Sequence, residues 1–271
     1  MPRIAVLQMT SGIDPEENFA VIEQAAKDAH ARGASMLFTP ETSLLLDRDR
    51  KRAAPHIVSQ SASPYLKRFA AVAAEQTLWM TVGLPVLLPT GRYANRQMLF
   101  TPTAGSPVCY DKIHMFDVEL STGETWRESS AYQPGEEVVT GENTPIGRLG
   151  LTTCYDMRFP ALFEELGRRK CDAITIPAAF TKPTGAAHWH VLLRARAIEA
   201  SAYVIAAAQV GKHEDGRETY GHSLVVDPWG EVLLDMGGEE PGLGFVDLSM
   251  ERITEVRSQL PSLANRRPIS K

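Results

Sequence analysis

Cys154 stands in the run Gly150-Leu151-Thr152-Thr153-Cys154-Tyr155-Asp156-Met157-Arg158-Phe159-Pro160, a thiol placed where an apolar strand gives way to a helix. Such a junction exposes a side chain and aims backbone N–H groups at whatever it attacks, which suits a nucleophile. The competing reading is a core cysteine, because free cysteine is among the most buried residue types. A thiol whose pKa lies near ~8.5 is mostly protonated at neutral pH and needs a base within reach. None of the seven histidines carries the local signature of a cysteine-protease partner. A carboxylate is the other option. Glu41 directly follows Leu37-Phe38-Thr39-Pro40, so it emerges at a strand end among apolar side chains that raise a carboxyl pKa by desolvation. Lys112 lies inside Val108-Cys109-Tyr110-Asp111-Lys112-Ile113-His114, where a lysine wants a partner or a role. On this pattern alone a surface-loop Glu41 and a solvated strand-edge Lys112 remain open. Cys109, inside a strand, and Cys171, between a basic helix end and a strand, read as structural.

The elements that must position these groups alternate. Arg3 to Met9 reads as a strand, Pro15 to Arg32 as an amphipathic helix stopped by Gly33, and Ala34 to Phe38 as a second strand. A helix then enters through Ser63 and Pro64. The middle is strand-rich: Leu78 to Leu88, Arg96 to Phe100 and Pro107 to His114. Leu149 to Cys154 predicts a strand before a helix at Ala161 to Arg169. Asp172 to Ala179 predicts a strand that runs through a Lys182-Pro183-Thr184-Gly185 loop to a helix near His188 to Ala200. Strands at Tyr203 to Val210, His222 to Val226, Val232 to Asp235 and Gly244 to Leu248 follow, and a helix at Met250 to Gln259 closes the series. No composition shift, linker or repeat divides residues 1–271, so the expectation is one α/β domain, a layered sandwich rather than a barrel.

Composition narrows the function. Of 271 residues, 44% are hydrophobic and 23% charged, the balance of a folded globular chain rather than a disordered or disulfide-built one. A net charge of -5 argues against a polyanion partner, so nucleic acid is not expected. No apolar run is long enough to span a membrane, and the N-terminal stretch turns polar too early for a signal peptide, so the expected setting is the cytoplasm. Three cysteines at wide spacing form neither a disulfide framework nor a CxxC site. Gly221-His222-Ser223-Leu224-Val225 lacks the second glycine of a nucleophile elbow, and no phosphate loop, zincin or EF-hand pattern is present, so neither cofactor nor metal is expected.

Taken in order, Glu41, Lys112 and Cys154 resemble the Glu-Lys-Cys triad of the nitrilase superfamily of carbon–nitrogen hydrolases. The resemblance spans nearly the whole chain and is nearest the Nit branch. It is carried by Tyr110-Asp111-Lys112-Ile113-His114-Met115-Phe116-Asp117-Val118-Glu119, the Cys154 run, Ala187-His188-Trp189-His190-Val191-Leu192-Leu193-Arg194-Ala195-Arg196-Ala197-Ile198-Glu199, and Tyr220-Gly221-His222-Ser223-Leu224-Val225-Val226-Asp227-Pro228-Trp229-Gly230. His190 stands where a glutamate is common in related animal proteins, and Lys182-Pro183 alters the preceding loop.

The resemblance implies a four-layer α-β-β-α sandwich that assembles as a homodimer or larger. It implies a cofactor-independent amidase working through a cysteine thioester, with Cys154 as nucleophile and Glu41 as general base. Lys112 and the Tyr155 N–H would stabilise the oxyanion. A second site glutamate is placed at Glu128, with Glu119 the nearest rival. Arg158, Thr184, His188 and Tyr220 are placed near the substrate by motif proximity, and Lys182, Arg194 and Arg196 are further cations near the matched runs. The implied substrate is a small-molecule amide: deaminated glutathione first, and 2-oxoglutaramate or another small ω-amide as the alternative. A catalytically silent oligomeric binding protein is the competing class.

Overall fold

The computed structural model describes residues 1–267 apart from 104, 121, 122 and 124, so the last four residues of the expected 1–271 domain lie outside it. Two six-stranded sheets form the centre. The first runs in the order Gly242–Asp247, Arg3–Gln8, Met36–Phe38, Trp79–Leu87, Tyr93–Phe100, Val108–Asp111. The second runs Val232–Asp235, Leu224–Val226, Tyr203–Ala206, Ala173–Thr175, Gly147–Leu151, Val139–Thr144. Each has three neighbouring parallel strands, Arg3–Gln8 with Met36–Phe38 and Trp79–Leu87 in one, Gly147–Leu151 with Ala173–Thr175 and Tyr203–Ala206 in the other. The remaining pairings are antiparallel.

Period-two alternation explains how the layers stack. In the first sheet Ala5, Leu7 and Leu37 face the helices Pro15–Ala31 and Pro64–Glu75, burying Phe19, Ile22, Phe69 and Val72. Their neighbours Ile4, Val6, Met36 and Phe38 face the other way, onto Leu149, Leu151, Ala173, Tyr203, Ile205 and Val225 of the second sheet. That sheet's alternate residues, Ile174, Val204, Ala206 and Leu224, pack on Leu162, Phe163, Trp189 and Leu193 of the helices Pro160–Arg168 and Lys182–Ala200. The result is the expected α-β-β-α sandwich.

The strands expected over Asp172 to Ala179 and Tyr203 to Val210 end early, at Thr175 and Ala206, and three expectations nearer the candidate residues need correction. The helix forecast to begin near His188 starts at Lys182, because Pro183 supplies a preset φ in the first turn instead of a loop. The strand forecast to reach Cys154 ends at Leu151, and Cys154–Arg158 is a 3₁₀ turn. The strand forecast through His114 stops at Asp111, so Lys112 begins the following loop.

Candidate active site

Glu41, Lys112 and Cys154 each leave the carboxyl end of a strand on the same side of the sandwich. Glu41 follows Met36–Phe38, the middle parallel strand of the first sheet, and Cys154 follows Gly147–Leu151, a parallel strand of the second. Ligand sites of α/β sheets form outside such strand ends, where successive loops diverge. The turn carrying Glu41 is held tightly. Thr39 Oγ1 donates to the Thr81 carbonyl at 2.9 Å, and a Cβ on Gly83 would come within 2.6 Å of the Thr42 nitrogen and 2.8 Å of the Pro40 oxygen. Only a glycine allows this approach. Cys154 sits at φ +50°, a left-handed conformation costing about 1–3 kcal/mol for a non-glycine residue. Its N–H donates to the Pro177 carbonyl at 2.9 Å, which fixes that conformation.

The three side chains converge out of water: Lys112 is 2% exposed, Glu41 5% and Cys154 7%. Lys112 Nζ lies 3.0 Å from Glu41 Oε1 and 2.9 Å from Glu128 Oε2, an ammonium shared by two carboxylates. Asn95 donates through one nitrogen to Glu41 Oε1 at 2.8 Å and to Glu128 Oε1 at 3.0 Å. The Ala179 N–H donates to Glu41 Oε2 at 2.8 Å, and the Phe116 N–H to Glu128 Oε2 at 2.7 Å. Every carboxylate oxygen is therefore aimed. Glu119, the rival position, is exposed and paired with Arg127 at the surface.

Electrostatics set the resting protonation. Burial pushes the Glu41 carboxyl up, but the Lys112 charge, the Cys154 thiol and the Ala179 N–H together hold it below its ordinary value. Burial and the adjacent Glu41 charge push the Cys154 thiol well up, against the opposing pull of Lys112. Burial alone would lower the Lys112 pKa, yet Glu128 and Glu41 outweigh it and hold the ammonium well above its usual range. The resting set is thus a protonated thiol beside a carboxylate, with an ammonium opposite.

Asp156, fully buried one turn beyond the thiol, ties the halves together. It accepts from the Tyr110 hydroxyl at 2.6 Å, the Thr153 N–H at 2.9 Å, the His114 N–H at 3.0 Å and the His114 ring at 2.7 Å. The Tyr155 N–H lies in the first turn after the thiol, where helical N–H groups have no intrahelical acceptor.

The site opens into a cavity of about 710 Å³, whose wall includes Glu41, Lys112, Glu128, Cys154, Tyr155 and Thr184. Arg158, His188 and Tyr220 are not among its lining residues. The Arg158 guanidinium rests against His188 Nδ1 at 3.3 Å and over the rings of Phe180 and Tyr155, and Tyr220 packs against Gly185 and stacks on His222. Arg194 donates to the Gly230 carbonyl, and Arg196 is spent on the Met157 carbonyl and Glu199. Lys182 does reach the wall, where it pairs with Glu218.

Sequence reasoning missed Asn95 and the cations Arg48, Arg50, Arg127 and Arg217 that join Lys182 around the cavity. Arg217 is held by Asp215, Arg127 by Glu119 and Arg50 by Ser130. The Arg48 guanidinium makes no hydrogen bond or ion pair among the described residues and approaches the Trp126 ring at 5.9 Å. No local pattern marks these residues, since they meet only when loops near 48, 127 and 217 fold together.

Comparison with known proteins shows the family and the fold. Residues 3–258 match the family described as carbon-nitrogen hydrolase. Deaminated glutathione amidase from Yersinia enterocolitica is 38% identical, over 98% of this chain and 93% of its own. The crystal structure of the C. elegans NitFhit protein superposes with a TM-score of 0.88 at 34% identity, covering 98% of this chain and 65% of that longer one. A glutamate-to-glutamine mutant of the Nesterenkonia sp. AN1 amidase, 25% identical over 98% of this chain and 94% of its own, has a TM-score of 0.82, and its structure shows covalent addition of the acetamide moiety of fluoroacetamide at that protein's active-site cysteine. The chain therefore belongs to the carbon–nitrogen hydrolase family and is a hydrolase of carbon–nitrogen bonds.

Proposed function

We propose that the chain hydrolyses the amide of deaminated glutathione, releasing 2-oxoglutarate and cysteinylglycine, with Cys154 as nucleophile. The observation that carries this reading is the buried Cys154 thiol beside Glu41, which pairs with the Lys112 ammonium at 3.0 Å, all three in the wall of a cavity with cations around it. On attack, Cys154 Sγ bonds to the amide carbon while its proton passes to Glu41. Lys112 Nζ and the Tyr155 N–H take the negative charge on oxygen, and one such donor contributes roughly 3–4 kcal/mol. The C–N bond then breaks as Glu41 returns the proton to the departing amine, leaving a thioester. Water attacks next, with Glu41 taking its proton, and C–S cleavage gives the acid and restores the thiol. Glu128 and Asn95 hold Lys112 and Glu41 in register through both halves.

The substrate choice is supported by the cavity volume, by its cations, which suit a ligand with carboxylates at both ends, and by the relatives named deaminated glutathione amidase. The reading extends to a homodimer. Val191 and Ile198 on one helix, with Trp229, Val232 and Leu233 nearby in sequence to one another, expose apolar surface that a second copy would cover. A cytoplasmic setting suits three free cysteines, one of them catalytic.

The test is kcat/KM for deaminated glutathione, 2-oxoglutaramate and glutathione side by side, with Cys154→Ala as blank. Preference for deaminated glutathione supports the proposal, and preference for 2-oxoglutaramate replaces it with an ω-amidase. No turnover of any amide, with Cys154 inert to alkylation, would leave the silent binding protein.

A further inference from the structure

Away from the cavity, three side chains from separate elements meet at the surface. His190 comes from the helix Lys182–Ala200, His222 from the loop after the strand Glu218–Tyr220, and Asp235 from the end of the strand Val232–Asp235. None of the three lines the cavity. His190 Nε2 lies 2.9 Å from Asp235 Oδ2, and His222 Nδ1 lies 2.9 Å from Asp235 Oδ1. Among the described residues this is the one group of at least three histidine, cysteine or carboxylate side chains whose ligand atoms lie within 4.8 Å of one another.

We propose that His190, His222 and Asp235 form a binding site for a divalent transition-metal ion, zinc or nickel in class. Two imidazoles and one carboxylate are a donor set that favours such ions over magnesium or calcium, which prefer all-oxygen surroundings. The spacing is within reach of both ions. Two ligands about 2.1 Å from an ion stand about 3.0 Å apart at the right angles of nickel and about 3.4 Å apart at the tetrahedral angle of zinc, so the observed N···O separations of 2.9 Å suit nickel directly and need about half an ångström of opening for zinc.

The cluster is also held in place before any ion arrives. His222 keeps a left-handed φ of +53° because its N–H donates to the Gly237 carbonyl at 2.7 Å and its own carbonyl accepts from Trp189 Nε1 at 2.8 Å. The Gly237 N–H donates to Asp235 Oδ1 at 3.0 Å, and the Tyr220 ring stacks on His222 at 4.4 Å. Preset ligands lower the ordering cost of coordination. All three side chains remain partly exposed, which leaves room for water to complete the shell.

The experiment uses tag-free, full-length Cys154→Ser protein, so that the cavity thiol takes no metal. Zinc chloride and nickel chloride are titrated by calorimetry, with magnesium chloride as the counter-probe. The expected result is one equivalent of zinc bound, a Kd at least tenfold weaker in His190→Ala and in Asp235→Asn, and no magnesium binding. His190→Ala lies on a partly exposed helix face, and circular dichroism checks that both variants keep the fold. Crystals grown with zinc should place the anomalous peak between these side chains. Absence of zinc binding, equal affinity in the parent and both variants, or a peak elsewhere overturns the proposal.

Discussion

Replacing Glu128 by glutamine tests whether the second carboxylate matters as charge or only as shape. Glu128 Oε2 accepts from both Lys112 and the Phe116 N–H, while Oε1 accepts from Asn95. A glutamine must turn its NH₂ toward one of these donors, because all three present hydrogens. Asn95 offers no escape by flipping, since that would turn its oxygen onto the Glu41 carboxylate. One donor–donor contact is therefore built in, worth about 1–3 kcal/mol in a buried site. Charge is lost as well. At about 3 Å and an effective dielectric near 20, the gross attraction between Lys112 and Glu128 is about 5 kcal/mol, of which the retained Glu41 pairing compensates a large share. Lys112 is then drawn to Glu41, away from the oxyanion position, and Glu41 becomes a weaker base. Together these raise the barrier by about 2–4 kcal/mol, a fall in kcat of about 30- to 1,000-fold. The assay is steady-state turnover of deaminated glutathione, or of whichever amide the chain prefers, with thermal unfolding in parallel and Glu119→Gln as the surface control. A folded Glu128→Gln protein with kcat within threefold of the parent would refute the reasoning.

Because the resting thiol is protonated and Glu41 ionised, kcat/KM should be flat between about pH 6 and 9 and fall only below the ordinary glutamate range near ~4.3. A rise that tracks thiol ionisation near ~8.5 would show a pre-formed thiolate instead. Arg48→Ala should raise KM about three- to tenfold for an amide carrying a distal carboxylate, with kcat nearly unchanged and with less effect on 2-oxoglutaramate. Arg158→Ala should move KM less than Arg48→Ala, since Arg158 does not line the cavity, and the reverse order would return it to the substrate. His213 is buried between the Ser11 carbonyl and Thr219, and burial lowers its pKa below the ordinary value. Its unfolded form binds protons more readily, so stability present above about pH 6.5 is lost as pH falls toward the folded pKa. The decline in Tm from pH 7 to 5.5 should be shallower in His213→Gln, and equal slopes would exclude His213 as its cause.

Much of this was legible in the sequence because its signals are local. Met250–Gln259 and Val232–Asp235 fall where periodicity puts them, and the thiol, the lysine and the strand-end glutamate each stand out in their runs, although only the order of the three together tied them to a shared role. Glu128 was preferred to Glu119 by its position between the lysine and cysteine motifs; in the structure its side chain meets Lys112 while that of Glu119 pairs with Arg127 at the surface. Asn95 was invisible because the expected strand began at Arg96, whereas the observed one starts at Tyr93 and points the polar end of Asn95 at two carboxylates. The strand forecast to Ala179 overran because apolar side chains continue past the end of the ladder at Thr175. Lys182-Pro183-Thr184-Gly185 looked like a turn by composition, yet the same proline that stops a helix interior opens one.

Glu41 and Lys112 belong to one sheet, Cys154 to the other, and the layer of Ile4, Val6, Phe38, Leu151 and Ile205 is what brings them together. Neither sheet with its own helices holds both Cys154 and Glu41. On the proposed mechanism, catalysis therefore reports on the docking of the two halves rather than on the integrity of either. During gradual denaturation, activity should vanish when the inner layer opens, while each half could still show its secondary structure.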